Sequence, residues 1–561
     1  MTSSENSCAG AIGIIDQRNV RVPMRDGVTL STNIFRPDAP GRFPALLLRT
    51  PYGKGAARHE RFVRAGYVVA TQDSRGRYES DGQFTLFSEE HTKDDEDGYD
   101  AVEWLAAQPW CDGNVGTFGQ SYCAWMQWQL AKLRPPHLKA MSAVSIPTTL
   151  PEVDFTGSFR PARRICWWLT TIAPDIRRRE GGPLPHTPGE AREIWHKIDC
   201  AKWLYLLPYA SLPRELFGSQ APYMFEWMKH PWRDPWKFTD AHPEIDVPNL
   251  DFTGWFDHCW SARHHASMQR VGRTAVARDQ QKTVIGPWNH GSIGKPQTAG
   301  LDFGRDAQLD KEAMMIQWFD HWLKGIDNDV EAWPPVRYYV MGSQQWKTCE
   351  SWPPKAEAEM ALHLRAGGSL TPDAPADEPP DEYVYDPRDP VMSLWEPGLV
   401  NVPSDRRRLA YRPDILRYET PALERDIEIV GCPEVVLHAA SSARDTDFFV
   451  RLVDVPPGDA PAIDVSMGMV RARYRNGFEP EQLVTPGEVI EYRVQLRATA
   501  NRFLAGHRIQ LELASSDFPN YDRNHNTGRD DFADPELLPA TQTIHHSAAR
   551  PSRVVLPVMH V

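Results

Sequence analysis

The chain has 561 residues and a net charge of −13, with 41% hydrophobic and 24% charged residues. That length exceeds what one hydrophobic core organises and predicts about two to four domains. An acidic balance without a dominant basic patch excludes a nucleic-acid binder, and no apolar run reaches the roughly 18 residues that cross a bilayer.

The N-terminal stretch MTSSENSCAGAIGIIDQ has neither a basic n-region nor a long apolar h-region, so the expectation is a cytoplasmic protein without a signal peptide. VRVPMRDGVTLSTNIFRP reads as a hairpin turning near Asp26-Gly27. PALLLRT and YVVATQD are continuous apolar runs, the pattern of buried parallel strands. TKDDEDGYDAVEWLAAQ opens a helix with carboxylates that suit the positive end of its dipole. VGTF then leads through GQSYCA into the helix-like run AWMQWQLAKL. Strand, helix, strand, helix, strand, turn is an α/β pattern.

Residues 149–246 carry no clear strand and are rich in Trp, Pro, Tyr and Arg, which predicts an irregular, largely helical insertion. The α/β pattern resumes in VPNLDFTGWFD and KTVIGPWNHG. The helix MMIQWFDHWLKG follows, with Met315, Phe319 and Trp322 on one face and Lys324-Gly325 as its stop. After about Trp346 helices become scarce, and alternating, β-branched segments separated by Gly and Pro turns predict an all-β sandwich. TPDAPADEPPDE reads as a surface loop. The eight cysteines are scattered without a C-x-x-C, which points to reduced thiols rather than disulfides or zinc.

Gly119-x-Ser121 between a buried strand and a helix reads as a nucleophile elbow. The helix N-terminus favours nearby negative charge, and the Tyr122 N–H can help to hold an oxyanion. A serine needs a base, and the base an orienting acid. Asp257 and His290 each follow a predicted strand, in the chain order Ser, Asp, His of α/β-hydrolases. Cys123 is the rival nucleophile but reads as a buried thiol. His258, His264 and His265 lack the spacing of metal ligands, so no metal is expected, nor any cofactor. Asp73-Ser74-Arg75-Gly76 is assigned to structure, as an Asp–Arg pair holding the core loops.

The blocks RTPYGK, QDSRGRYESDGQF, WCDGNVGTFGQSY, TGWFD, IGPWNH and GHRIQLELASSDFPNYDRNHNTG resemble, in this order and over nearly the whole chain, the X-Pro dipeptidyl-peptidase and cocaine esterase group of serine hydrolases. The resemblance implies an α/β-hydrolase core in residues 1–148 and 247–345, a helical cap in 149–246 and a jelly-roll β-sandwich in 346–561. It makes Ser121, Asp257 and His290 the catalytic triad, and it adds the Tyr52 hydroxyl to the Tyr122 N–H as the oxyanion hole. The family elbow reads G-x-S-Y-x-G, so Ala124 departs from its usual glycine.

The implied reaction is hydrolysis of a small-molecule ester, or an amide, through an acyl-enzyme. X-Pro dipeptidyl-peptidase and α-amino-acid ester hydrolase or β-lactam acylase activities are alternatives. Family members that bind an α-ammonium use carboxylates partly just after the triad acid, whereas His258, Cys259 and Trp260 follow Asp257 here. The cap tryptophans Trp167, Trp168, Trp203, Trp227, Trp232 and Trp236 can form an acyl pocket or simply a core; Trp167, Trp168 and Trp260 are the pocket candidates. An acyltransferase and a non-catalytic binding protein are the readings from other classes. The oligomeric state, a homo-oligomer included, is open.

Overall fold

The computed structural model describes residues 13–87, 92–154, 157–394 and 403–559. Residues 1–12, with Cys8 and most of the stretch read for a signal peptide, lie outside them. A hairpin opens the fold. β1 (Ile14–Pro23) and β2 (Thr29–Pro37) pair antiparallel, and Gly27 at φ 86° makes the turn. β3 (Phe43–Thr50), β4 (Val68–Asp73), β5 (Cys111–Gln120), β6 (Leu138–Val144), β7 (Asn249–Gly254) and β8 (Gln281–Gly286) run parallel to one another. The sheet order is β1-β2-β4-β3-β5-β6-β7-β8, then Val336–Val340 and Gln345–Cys349. Strands buried on both faces need helices on both sides. α1 (Glu60–Arg64) lies between β3 and β4 in the chain, and on one side of the sheet lie α2 (Asp94–Ala106) and α3 (Tyr122–Ala131), the latter buried along its whole length. On the other lies the helix Lys311–Lys324, capped by Asp310 and ended by Gly325 at φ 68°. Its buried residues are Met315, Trp318, Phe319 and Leu323, with Trp322 only partly covered. Trp318 takes the central place because its indole donates to the Met141 carbonyl at 3.0 Å.

The carboxylates that open α2 are not a solvated helix start. Asp94 and Asp97 are buried, with Arg49 against both. Arg75 pairs with Asp97 and Asp26, while Asp73 pairs with Lys54 at 2.6 Å. The expected Asp–Arg pairing therefore exists with different partners. Asp73 ends β4 beside the loop after β3, and Arg75 points back toward α2.

Between β6 and β7 the described chain forms short helical pieces. The run from Pro161 to Glu180 is α-helical apart from a π-helical turn at Trp168–Ile172. The run from Pro188 to Leu204 has a second such turn at Trp195–Asp199. Thr187 and Glu190 close its start with a reciprocal capping box. From Ala358 onward the chain forms a mostly antiparallel β domain, in which Arg508–Ala514 lies between Leu416–Glu419 and Asp447–Val455. One apolar cluster joins it to the α/β core, running from Trp255, Trp260 and Tyr339 to Tyr418, Val450 and Leu511. The β domain also holds the helical insertion. Ala162 N–H donates to the Pro519 carbonyl at 3.0 Å, Phe159 and Asp522 exchange bonds, and Trp232 stacks on Phe478. No helix among the described residues is long and apolar enough to cross a membrane.

Candidate active site

The ends of the parallel strands converge below the helical insertion, where open α/β sheets place their ligands. β5 runs into Ser121, which adopts φ 63° and ψ −124°, a costly conformation for a side chain to hold and one found at functional turns. Its N–H donates to the Val144 carbonyl at 2.9 Å, fixing the turn to β6. Gly119 permits the bend: at φ 147°, a Cβ there would lie 2.6 Å from Cys123 Cβ and 2.8 Å from Leu48 Cδ1. Ala124, where the resembled pattern has glycine, sits fully buried in an intact first turn, its N–H donating to the Ser121 carbonyl at 2.8 Å.

β7 and β8 lead to Asp257 and His290. Their loops cross closely, with Phe256 N–H donating to the Trp288 carbonyl at 3.1 Å. A Cβ on Gly254 would stand 2.1 Å from that same oxygen, so only glycine fits the crossing. His290 Nδ1 lies 2.9 and 3.0 Å from the two Asp257 oxygens. A carboxylate only accepts, so Nδ1 carries the proton and Nε2 is left for other partners. Gln120 holds His290 from behind, donating to its carbonyl at 2.7 Å. Burial opposes the charge on Asp257. The His290 charge and hydrogen bond outweigh it, with Ser145 and Arg163 assisting, and hold the carboxyl below its ordinary range. Ser145 Oγ donates to Asp257 at 2.5 Å, while Ser145 N–H donates to Asp251 at 2.8 Å. Ser261 completes the partners of Asp251. Ser145, Asp251 and Ser261 carry no motif signal of their own, and although Gly254 and Gln120 lie in the TGWFD and GQSY blocks, their roles depend on which strands become neighbours.

Tyr52 follows β3, and its phenol interacts with the Ser121 and Trp167 side chains. Burial pushes its pKa up, so it stays a hydrogen-bond donor at neutral pH. The Tyr122 side chain is occupied elsewhere, accepting from Phe87 N–H and donating to Asp94. Only its backbone N–H, in the first turn of α3, is available to a ligand. Burial pushes the Cys123 thiol up to about 12, which removes it as a rival nucleophile.

Tyr52, Ser121, Tyr122, His258 and His290 share a cavity of about 620 Å³ roofed by the helical insertion. Trp167, Trp195 and Trp236 line it, with Thr170, Thr171 and His196 from the two π-turns. Such turns recur at functional sites because the extra residue re-aims side chains. Trp168 and Trp260 are not in the lining, which corrects their assignment to the pocket. Trp168 is fully buried against Phe159 and Trp227, and Trp260 packs between the domains beneath the Arg263 guanidinium. The reason is helical geometry. Adjacent residues on a helix point about 100° apart, so Trp167 and Trp168 cannot share a face.

Asp257, His258 and His290 bring ligand-type atoms within 4.8 Å of one another. Asp257 and His290 Nδ1 are engaged with each other. His258 Nε2 accepts from Arg163 at 2.7 Å, and a guanidinium at that distance repels a cation. His264 stacks on Trp128 and bonds to His242, a structural role.

Comparison with known proteins follows the same lines. Residues 26–292 match the X-Pro dipeptidyl-peptidase (S15) family, and residues 328–555 match the X-Pro dipeptidyl-peptidase C-terminal non-catalytic domain. The chain is 33% identical to the cocaine esterase of Rhodococcus sp. (strain MB1 Bresler), over 96% of this chain and 98% of that one. It is similar in structure to an aminopeptidase from a marine sediment archaeon, Thaumarchaeota archaeon, with a TM-score of 0.83 and 25% identity over 100% of this chain and 98% of the other. An α-amino acid ester hydrolase aligns with a TM-score of 0.78 and 25% identity over the same shares. The chain belongs to the X-Pro dipeptidyl-peptidase S15 and cocaine esterase family and is a serine hydrolase of that group.

Proposed function

We propose that this serine hydrolase cleaves small-molecule carboxylic esters by acyl transfer through Ser121. His290 takes the Ser121 proton at Nε2 as Oγ attacks the ester carbonyl, and Asp257 orients the ring and balances the imidazolium. The Tyr52 hydroxyl and the Tyr122 N–H donate to the developing oxyanion. His290 then delivers its proton to the leaving alkoxide, and a water activated by the same nitrogen releases the acid and frees Ser121. The observation that carries this reading is the Asp257–His290 contact at 2.9 Å, on the cavity that also exposes the strained Ser121 turn and the Tyr52 phenol. An α-amino acyl substrate is disfavoured, because His258 follows Asp257 where a carboxylate would serve an ammonium. The test is turnover of aryl esters together with labelling by a fluorophosphonate. Wild type is expected to do both and Ser121→Ala neither; labelling retained at another residue would overturn the assignment.

A further inference from the structure

The tight turn after β4 sends two arginines in opposite directions. Gly76 stands between them at φ 67°, and a Cβ there would lie 2.4 Å from the Gln83 carbonyl carbon and from the Phe84 nitrogen, so only glycine fits. Arg75 reaches back to Asp97 in α2. Arg77 turns the other way and is fully buried, its guanidinium against the Tyr78 and Phe84 rings.

A guanidinium carries five N–H donors in a rigid plane, and burying it is costly unless they find acceptors. Arg77 divides them between two segments that are remote in sequence. Nε donates to the Pro51 carbonyl at 2.8 Å. Nη1 donates to the Ile172 carbonyl at 2.8 Å, and Nη2 to the Thr171 carbonyl at 3.4 Å. Asp175, just past the same π-turn, lies 3.7 Å from Nε and accepts the Tyr78 N–H at 2.9 Å.

The first of these bonds acts on the oxyanion hole. The Pro51 carbonyl belongs to the peptide that leads into Tyr52, and the N–H of that peptide donates to the Thr50 hydroxyl at 3.0 Å. A peptide unit is planar, so holding both its C=O and its N–H fixes the plane. The plane in turn sets the direction in which the Tyr52 side chain leaves the backbone. The other bonds reach the roof, because Thr171 lines the cavity within the π-turn Trp168–Ile172. One rigid fork therefore spans from the oxyanion loop to the roof, beside the edge-to-face contact of Tyr52 with Trp167 at 6.5 Å.

We infer that Arg77 is a positioning residue: anchored on the π-turn of the roof, it holds the Tyr52 hydroxyl where the oxyanion forms. This rests on the ester-hydrolysis reading above, in which Tyr52 is an oxyanion donor. The test is a double-substitution cycle on one activated aryl ester, with kcat expressed per site labelled to completion by a fluorophosphonate, so that only folded enzyme counts. Arg77→Met removes every donor and keeps an unbranched side chain. It is expected to lower kcat about tenfold or more with KM changed by no more than about twofold, the signature of a slightly misplaced catalytic group. In the Tyr52→Phe background the same substitution should change kcat by less than about twofold, because the hydroxyl it positions is gone. Arg77→Lys keeps the charge but cannot bridge three carbonyls, so it should lose kcat severalfold, and this loss should vanish in the same background. The lysine cycle decides the question if Arg77→Met does not fold.

Losses of kcat that are equal with and without the Tyr52 hydroxyl would show that Arg77 merely supports the fold and would overturn the inference. An unchanged kcat in every Arg77 variant that folds would overturn it as well. Ester turnover that depends on Tyr52 but not on Arg77 defeats this inference alone; no turnover of any ester defeats the ester-hydrolysis reading too.

Discussion

At the floor of the cavity, Ser121, Asp257 and His290 stand just past the ends of β5, β7 and β8, and the loops that carry them are tied by backbone and side-chain hydrogen bonds. The roof is built differently. Its helical runs are short, are broken by two π-turns, and are held both by the β domain, through Phe159, Ala162 and Trp232, and by the loop after β4, through Arg77, Tyr78 and Phe84. A parallel sheet fixes strand ends to within a hydrogen bond, so it suits groups that must meet a reacting atom. A mosaic of aromatic contacts tolerates changes of shape, so it suits the part of the site that sorts substrates. Damage to the floor is therefore expected to lower kcat, and damage to the roof to change KM and preference.

The largest effect belongs to the floor. Ser121→Ala is expected to lower kcat by roughly 10⁵–10⁶-fold with no change in circular dichroism. Asp257→Asn should cost about 10⁴-fold in kcat by releasing His290 from its tautomer. The same variant reports on pH. The folded Asp257 carboxyl is depressed, so it contributes stability that is fully present above the ordinary carboxylate value of about 3.9 and is lost as pH falls through its lower folded value. Denaturant titrations across that window should show wild type losing more stability on acidification than Asp257→Asn. Tyr52→Phe removes one oxyanion donor and should lower kcat by about 10²–10³-fold while KM changes little, measured on one aryl ester.

Roof variants should act more weakly and on different constants. Trp167→Ala should raise KM by roughly two- to tenfold and leave kcat nearly intact. Its neighbour sharpens the contrast, because Trp168 faces the core. Trp168→Ala should cost about 3–5 kcal/mol of stability by thermal or denaturant melting, while KM per folded molecule stays unchanged. Equal KM shifts for the two tryptophans would erase the difference between lining and core. The smallest effect is expected at the elbow helix. Ala124→Gly should cost about 0.5–1 kcal/mol of helix stability and change kcat by no more than about twofold, because the turn already closes around the alanine.

Much of the floor was legible in the chain, because each part of it is a local pattern. A buried strand followed by a glycine, a serine and a helix is contained in about a dozen residues, and Asp257 and His290 each follow a recognisable strand. Their supports were not legible. Ser145 reaches Asp257 only because β6 and β7 become neighbours, and Gly254 matters only because the loop after β8 crosses it. The roof was less legible still. A 3.6-residue periodicity cannot register the extra residue of a π-turn, so Trp195 and His196 drew no notice, and a cluster of tryptophans does not say which rings face inward. The Asp73-Ser74-Arg75 stretch makes the same point with charge: ion pairing was foreseen, but the partners came from segments elsewhere in the chain.

The sequence by itself determined the order of the elements and the identity of the candidate triad, since these follow from turn chemistry and hydrophobic periodicity acting over short distances, whereas Tyr52 was indicated only by the family resemblance. The tertiary structure alone decided which tryptophans line the cavity and which are core. It also decided that His258 is held neutral by its burial and by the Arg163 charge, and that three arginines from two separate helices share one cavity wall. The physical reason is range: backbone preferences act between near neighbours in sequence, whereas burial, charge and cavity shape act between whatever the fold brings together.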